Sequence, residues 1–518
     1  NEPGAGNFHV YNSLFRNSTL ADLSMGNTGG FSARGNYSTG SKAFFVATGT
    51  NNPATIHLQS NTVIDPIDSV AIRLGNQGPG LITDNVIRSS TSATGPVIYW
   101  TNLFAPDVAS IGNTFTVANL ITTNGRLIRI DDRVVARRTL TPKEPALPGT
   151  PPNLHRQIFE VPPGATASAM QQAINAAAAQ NGNRPVVHIP YGTYSVSQTL
   201  TLPVSDVQLA GDGYETILNW TGEGNGPVLS MSGPSKATLR EIQIDGAAEA
   251  DGIVLDNVDQ IGSRVYMQGV QLRSGRRTDL FINGLDHTRV QLEDFGHAYS
   301  PNAVSVKVRG GPLSAAGKAT GGKTSVFSGA SSGNSISYEV SEGARLLVRD
   351  LWYESGAKPG FAKIYDRALF TLDGVRISSP VNQIPAALDI VNLNGTVAIL
   401  TSHLDDRITI SGNGSGARIL GLGIFDEQRS SKYFLNDSSP AAQAVLANSR
   451  QVSTLPGNRS VGTPDMGVAD RTFIKSLLEQ TRGEHPAVPR ALPIGITDVR
   501  MFRVWVGNGR NNITLAAR

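Results

Sequence analysis

A chain of 518 residues is long enough to bury more than one hydrophobic core. Only 16% of it is charged, the formal net charge is +3 and no Lys/Arg-rich run occurs, which argues against nucleic-acid binding. Cysteine is absent, excluding disulfides and thiolate chemistry, and no apolar run approaches the roughly 20 residues that span a bilayer. With 55 glycines and frequent Asn, Ser and Thr, the composition points to an all-β chain rich in tight turns. The sequence opens NEPGAGNFHVYNSLF without an initiating Met and enters strand-like sequence at once, so a processed N-terminus is expected.

The first quarter carries a repeat. VYNSLF, ARGNYS, LQSNTVI, ITDNVIR and SIGNTFT align on Asn12, Asn36, Asn61, Asn85 and Asn113, at spacings of 24, 25, 24 and 28. A period near 24, with short β-rich runs and one Asn per period, suits one coil of a right-handed parallel β-helix. Asn tolerates left-handed backbone at a turn, and its amide hydrogen-bonds to an Asn one coil away. Asn36 begins an N-Y-S sequon, but a structural role in the turn makes it a poor glycan acceptor.

After Ile130 the pattern stops. TLTPKEPALPGTPPNLHRQIFEVPPG carries seven prolines between Pro142 and Pro163 and reads as an extended interdomain linker. TASAMQQAINAAAAQ, from Thr166 to Gln180, then predicts a helix, and PVVHIPYGTYSVSQTLTLP and DVQLAGDGYETILNW predict strands broken by glycines. This order of helix, VVHIPYGTY, TLTLP and VQLAGDG resembles the N-terminal cap of pectate-lyase-like β-helix modules. Such caps occur in phage tailspike depolymerases and in the tandem β-helix glucanases of glycoside hydrolase family 55. The resemblance covers about residues 160 to 220 and implies a fold more than a reaction. Neither the glucanase signature nor the Asp-Asp and Gly-His-Gly motifs of polygalacturonases occurs here, so no family catalytic residue is carried over.

The expected fold is therefore all-β, with two tandem right-handed parallel β-helices joined by a Pro-rich linker and a short capping helix before the second. The boundaries fall at 1–135 for the first helix, 136–164 for the linker, 165–435 for the capped second helix and 436–518 for a tail. In the second helix LREIQID, MQGVQLR, LEDFGHA, VRDLWYE, LDGVRIS, LTSHLDD and LGLGIFD stack by apolar alternation. That register turns Leu351 and Tyr353 inward and Asp350, Trp352 and Glu354 outward. It sets Arg376, then His403 and Asp405, in the same outward columns of the following coils, with Asp294, Gly296 and Ala298 in the coil before.

An indole beside small residues offers a stacking face to a sugar, and glycosidic hydrolysis needs a pair of carboxyl groups. Glu354, Asp350 and Asp294 are accordingly the candidate catalytic acids, and Trp352, Arg376, His403, His297 and Asp405 the candidate substrate-binding residues. Asp294 and Asp350 also fit the turn position that asparagine fills in the first helix, and His297 fits a hydrogen-bonded interior. A Gly/Ser-rich insertion from Arg309 to Asn334 interrupts the second helix beside these residues and carries Lys318 and Lys323.

No resident cofactor is expected. Asp405, Asp406, Asp426 and Glu427 form an acidic cluster with Ca²⁺-ligand chemistry but without a loop spacing that supports it. ADRTFIKSLLEQTRG in the tail predicts an amphipathic helix with Phe473, Ile474, Leu477 and Leu478 on one face, followed by a pair of strands.

The functional expectation is a secreted or cell-surface bacterial or phage enzyme that hydrolyses an extracellular polysaccharide. No nucleic-acid partner and no membrane span are expected, and the oligomeric state is left open. The alternatives are a polysaccharide lyase and a non-catalytic structural or adhesive β-helix.

Overall fold

The computed structural model is a parallel β-solenoid with very few helices. It describes residues 7–26, 30–48, 55–103, 105–146, 155–233, 235–258, 264–285, 287–311, 322–333, 335–354, 360–378, 387–404, 408–412, 416–424, 435–437, 443–447, 468–481, 502–505 and 512–515. Strands between residues 7 and 134 build three parallel sheets of six, six and five strands; those between 158 and 447 build one sheet of seventeen and one of ten. Each set encloses its own apolar core.

In the first set every coil bends sharply at a residue in the left-handed region. Asn12, Gly35, Ser60, Asp84, Gly112 and Asp131 occupy that column, with φ between 46° and 70°. The residue after the bend turns its side chain along the axis. Asn36 Nδ2 donates to Asn61 Oδ1, Asn61 to Asn85, Asn85 to Asn113 and Asn113 to Asp132, each at 2.9 Å. The same amides cap main-chain carbonyls, as Asn61 Nδ2 does to Ala33 O at 2.8 Å. Asn12 is not part of this ladder. Tyr11 pairs with Arg34, so Asn12 stands opposite Gly35 at the bend, and Ser13 takes the ladder position, its N–H donating to Asn36 Oδ1 at 2.9 Å.

The second set begins under helix α1 (Ala167–Ala178), whose N-cap Thr166 accepts from Ala169 N at 3.3 Å. Ala167, Met170, Ile174 and Ala177 face down onto Val187, Ile189 and Leu200, so the helix covers the apolar end of the stack. The seventeen-stranded sheet has its own bend column, Glu241, Gly269, Asp294, Ser328, Asp350, Gly374, Thr401 and Gly423, with φ between 40° and 68°. Leu351 and Tyr353 point into the core, where Tyr353 meets Phe361 edge-on at 5.0 Å.

Two details of the stacking differ from the sequence reading. Lys323–Ser332, taken as part of an insertion, is a full strand pairing with Arg289–Ala298 on one side and with Arg345–Arg349 and Trp352–Glu354 on the other. Asp294 and Gly296 are therefore two coils from Asp350 and Trp352, with Ser328 and Ala330 between. The stack also continues past the expected end, since Gln443–Ala447 pairs with Arg418–Leu422. Residues 312–321, with Lys318, lie outside the described chain.

The outer face of one sheet of the first set lies on the outer face of the seventeen-stranded sheet. Its outward residues change character along the axis: His9, Ser32, Arg34, His57 and Gln59 at one end, then Leu81, Ala109, Ile111, Ile128 and Ile130. The apolar end packs with Leu400, Leu420 and Leu422. Helix α2 (Val468–Thr481) completes this third core with Phe473, Ile474, Leu477 and Leu478. Part of the proline-rich stretch runs back along the first set, where Arg88 donates to Leu140 O at 3.2 Å and Arg16 pairs with Glu144.

Candidate functional site

The polar end of this contact explains where Asp350 sits. Its carboxylate accepts from Ser32 Oγ at 3.1 Å and lies 3.3 Å from His9 Nδ1 and 3.5 Å from Arg34 Nη2. One coil on, Asp373 takes Arg34 Nη2 at 2.9 Å, Arg349 Nε at 3.0 Å and His57 Nδ1 at 2.8 Å. All of these groups are buried or nearly so. Burial alone would raise Asp373, but Arg34, His57 and Arg349 hold it well below the usual carboxylate range. Burial and the charge of Asp373 push Asp350 well above that range. His9 and His57 are driven down, to about 3 and about 4, by burial and by Arg34. Asp350 turns outward at the bend between its two strands, but the first set of sheets covers it; it is a contact residue and not an acid open to a glycan.

The other sequence candidates divide as follows. His297 projects inward and is buried, against Ser331 Oγ at 2.9 Å and Tyr338 Oη at 3.2 Å, so it does not meet substrate. Burial lowers it to about 3. Ala330, Trp352, Arg376 and His403 are successive rungs of one outward column. Trp352 is half-buried with the Arg376 guanidinium 4.7 Å from its ring centre, so one indole face is already occupied by a cation. His403 is buried. Glu354 ends its strand opposite Ser332 and Ser378, and its side chain, like the whole of Asp405, lies outside the described residues. So do Asp406, Asp426 and Glu427; among the described residues no three His, Cys, Asp or Glu side chains converge as a metal site.

Asp294 belongs to a different arrangement. The column Arg240, Gln268, Glu293, Phe327, Arg349, Asp373 runs along the large sheet, buried from Phe327 onwards and open before it. On the open part three carboxyl groups gather. Glu293 accepts from Tyr266 Oη at 2.6 Å and from the Gln291 amide. Glu241 and Asp294 occupy the neighbouring bend column, two rungs apart with Gly269 between. The Glu241 carboxyl leans over that glycine, where a Cβ would stand 2.7 Å from Oε1. Its distance from Asp294 is thus between one and two rungs, roughly 5–10 Å. Glycosidase carboxyl pairs work at about 5–5.5 or 6.5–9.5 Å.

The surroundings tune these acids upward. Burial raises Glu241, with Arg240 opposing and the charge of Asp294 adding to it. Burial alone raises Asp294, and burial raises Glu293 despite its hydrogen bonds from Tyr266 and Gln291. The Tyr214 hydroxyl, pushed up to about 12 by burial and then by Asp294 and Glu241, borders the same notch. A carboxyl raised above its ordinary range beside a second carboxyl is the arrangement general acid catalysis draws on. Glu241 was visible in LREIQID and Gly269 in MQGVQLR; aligning those two coils with LEDFGHA on their bends would have set Glu241 over Asp294.

No protein-family model matches the chain, and no curated protein matches it. Three chains of solved structures do, among them ORF18 of Geobacillus virus E2, at 15% identity and a TM-score of 0.32. That match covers 59% of this chain and 63% of the viral one. Among the described residues no helix is long and apolar enough to cross a membrane.

Proposed function

We propose that this chain is a secreted carbohydrate-active enzyme, a glycoside hydrolase of extracellular polysaccharide whose acid/base pair is drawn from Glu241, Asp294 and Glu293. The observation that carries the reading is the gathering of three upward-shifted carboxyl groups on a stretch of the large sheet's outer face that the first set of sheets leaves uncovered. The same reading takes the two sets of sheets as right-handed, pectate-lyase-like β-helices in tandem, with the proline-rich stretch as their link. Their separate cores and the helix over the start of the second favour it.

The test is release of reducing ends from a panel of neutral and acidic polysaccharides. Glu241→Gln and Asp294→Asn should each lower the rate by roughly 10²–10⁴-fold while leaving glycan binding intact. Products bearing unsaturated uronates would assign lyase chemistry instead. Unchanged rates in both variants would sink the assignment of the acids.

A second reading, a non-catalytic structural or adhesive surface, is favoured by one recurrence. Asn17 over Gly40, Asn257 over Gly284 and Asn392 over Gly412 repeat the geometry of Glu241 over Gly269, and these side chains serve turns. On that reading no glycan of the panel is cleaved, and Glu241→Gln changes only stability.

A further inference from the structure

Upstream of the acid cluster, at the starting edge of the same strands, four cations stand in consecutive rungs. Arg264 pairs with Arg289 and Arg289 with Lys323. Thr324 pairs with Leu346, so Lys323 falls opposite Arg345. The column spans three strand spacings, roughly 14 Å. Arg289 is exposed and the other three are half-buried, and neither Arg289 nor Arg345 is in an ion pair among the described residues. Arg264 is held in place by stacking on the Tyr266 ring at 5.4 Å and by its hydrogen bond to Gln291 Oε1 at 3.4 Å. Burial, and then the charges of Arg289, Arg349 and Arg345, lower the Lys323 ammonium to about 8. Like charges one rung apart repel, and a folded chain that retains four of them has a row of positive potential along its axis.

We infer that this column binds a linear acidic glycan, with successive carboxylate or sulfate groups of the polymer on Arg264, Arg289, Lys323 and Arg345. The rungs repeat at a fixed interval, which suits a regular polyanion running along the solenoid, and guanidinium groups take carboxylates in bidentate fashion. The next outward row is Tyr266, Gln291 and Ser325, all nearly buried, so hydrogen-bonding groups and not exposed rings flank the cations. A single-stranded nucleic acid needs exposed aromatic platforms for its bases, and this row has none. The nature of the ligand rests on the carbohydrate reading above; its charge rests on the column alone. Glu293 and Asp294 lie to one side of this column, four and five residues further along the strand that begins at Arg289.

The experiment is isothermal titration of the full chain with polygalacturonate and alginate oligosaccharides, against neutral laminarin oligosaccharides and a single-stranded DNA, at low and high salt. Expected are salt-sensitive binding of the acidic glycans, and affinity at least fivefold weaker for Arg289→Gln and for Arg345→Gln, with circular dichroism unchanged. Asp294→Asn should bind as the wild type does; cleavage lost with binding retained separates this column from the acid cluster. Equal affinity for neutral and acidic glycans, or no effect of either arginine substitution, overturns the inference. DNA binding that the same substitutions abolish, without glycan binding, overturns it in favour of a nucleic-acid surface.

Discussion

Replacing Asp373 by alanine removes a carboxylate on which Arg34, Arg349 and His57 converge at 2.8 to 3.0 Å, all out of contact with water. Two guanidinium groups then remain buried without their shared counter-charge, a situation that costs roughly 3–5 kcal/mol. Asp350 softens the loss. Its carboxyl is held above its usual range partly by the charge of Asp373, so it ionises more readily once that charge is gone, and it already lies 3.5 Å from Arg34. The expected loss near neutral pH is therefore at the lower end, about 3 kcal/mol. Urea denaturation followed by the fluorescence of Trp100 and Trp220, both buried, measures it. The decisive comparison is the triple variant Arg34→Met, Arg349→Met, Asp373→Leu, which replaces the cluster by apolar groups and should recover most of the loss. A single variant within about 1 kcal/mol of wild type, or a triple variant no more stable than the single, would refute the account of Asp373 as the keystone of a buried charge cluster.

Three further outcomes are expected. His57 is lowered to about 4 in the folded chain, so between about pH 4 and 6.5 the folded state binds fewer protons than the unfolded one. Its contribution is present above the unfolded value and is lost as pH falls, on the order of 3 kcal/mol in all. The stability gap between wild type and His57→Gln should accordingly shrink from neutral pH to about pH 4, and a gap independent of pH would contradict it. Gly269→Ala adds a Cβ 2.7 Å from Glu241 Oε1 at φ +59°, which should lower stability by roughly 1–2 kcal/mol and shift the pH profile of any activity; an unchanged melting temperature argues against the contact. Asn61→Ala removes the acceptor of the Asn36 N–H and of one Asn36 amide hydrogen, the other still reaching Val10 O, and the amide donor to the Ala33 carbonyl, a loss of roughly 2–4 kcal/mol by the usual cost of unpaired buried groups. Ser13→Ala at the ladder's end should cost about 1 kcal/mol or less, and equal effects of the two would disprove the ladder's role.

The parallel solenoid was legible because its coils repeat. Asn36, Asn61, Asn85 and Asn113 recur at nearly one coil length and mark the bends, and the alternation in LREIQID and VRDLWYE fixes which residues face inward. Asn12 misled for a physical reason: both the bend residue and the one after it favour Asn, so a slip of one residue leaves the pattern looking intact. The strand Lys323–Ser332 was hidden because its small residues Ser328, Gly329, Ala330 and Ser331 read as a loop, although a coil packed between two others tolerates them. The fate of Asp350 was not legible at all. Alternation says which side of a sheet a residue takes, and only the docking of His9, Ser32 and Arg34, more than 300 residues away, decides whether that side meets water. The acid cluster failed for a milder cause, since Asp294 was selected but its partner was sought in the coils after it, where the sheet is covered, and not in the coils before.

The two docked faces have the same rise per coil, so they behave like two rulers with matching graduations. The leucines and isoleucines of the apolar end fit almost as well when one ruler slides by a division, because each apolar rung resembles the next. Arg34 sits between Asp350 and Asp373 while His57 meets Asp373 alone, and sliding by a rung breaks this set of contacts. The charge cluster thus acts as a detent that selects a single setting of the rulers. With it goes the length of sheet left bare beyond the contact, and the triple apolar variant, however stable, is the molecule in which that setting should drift.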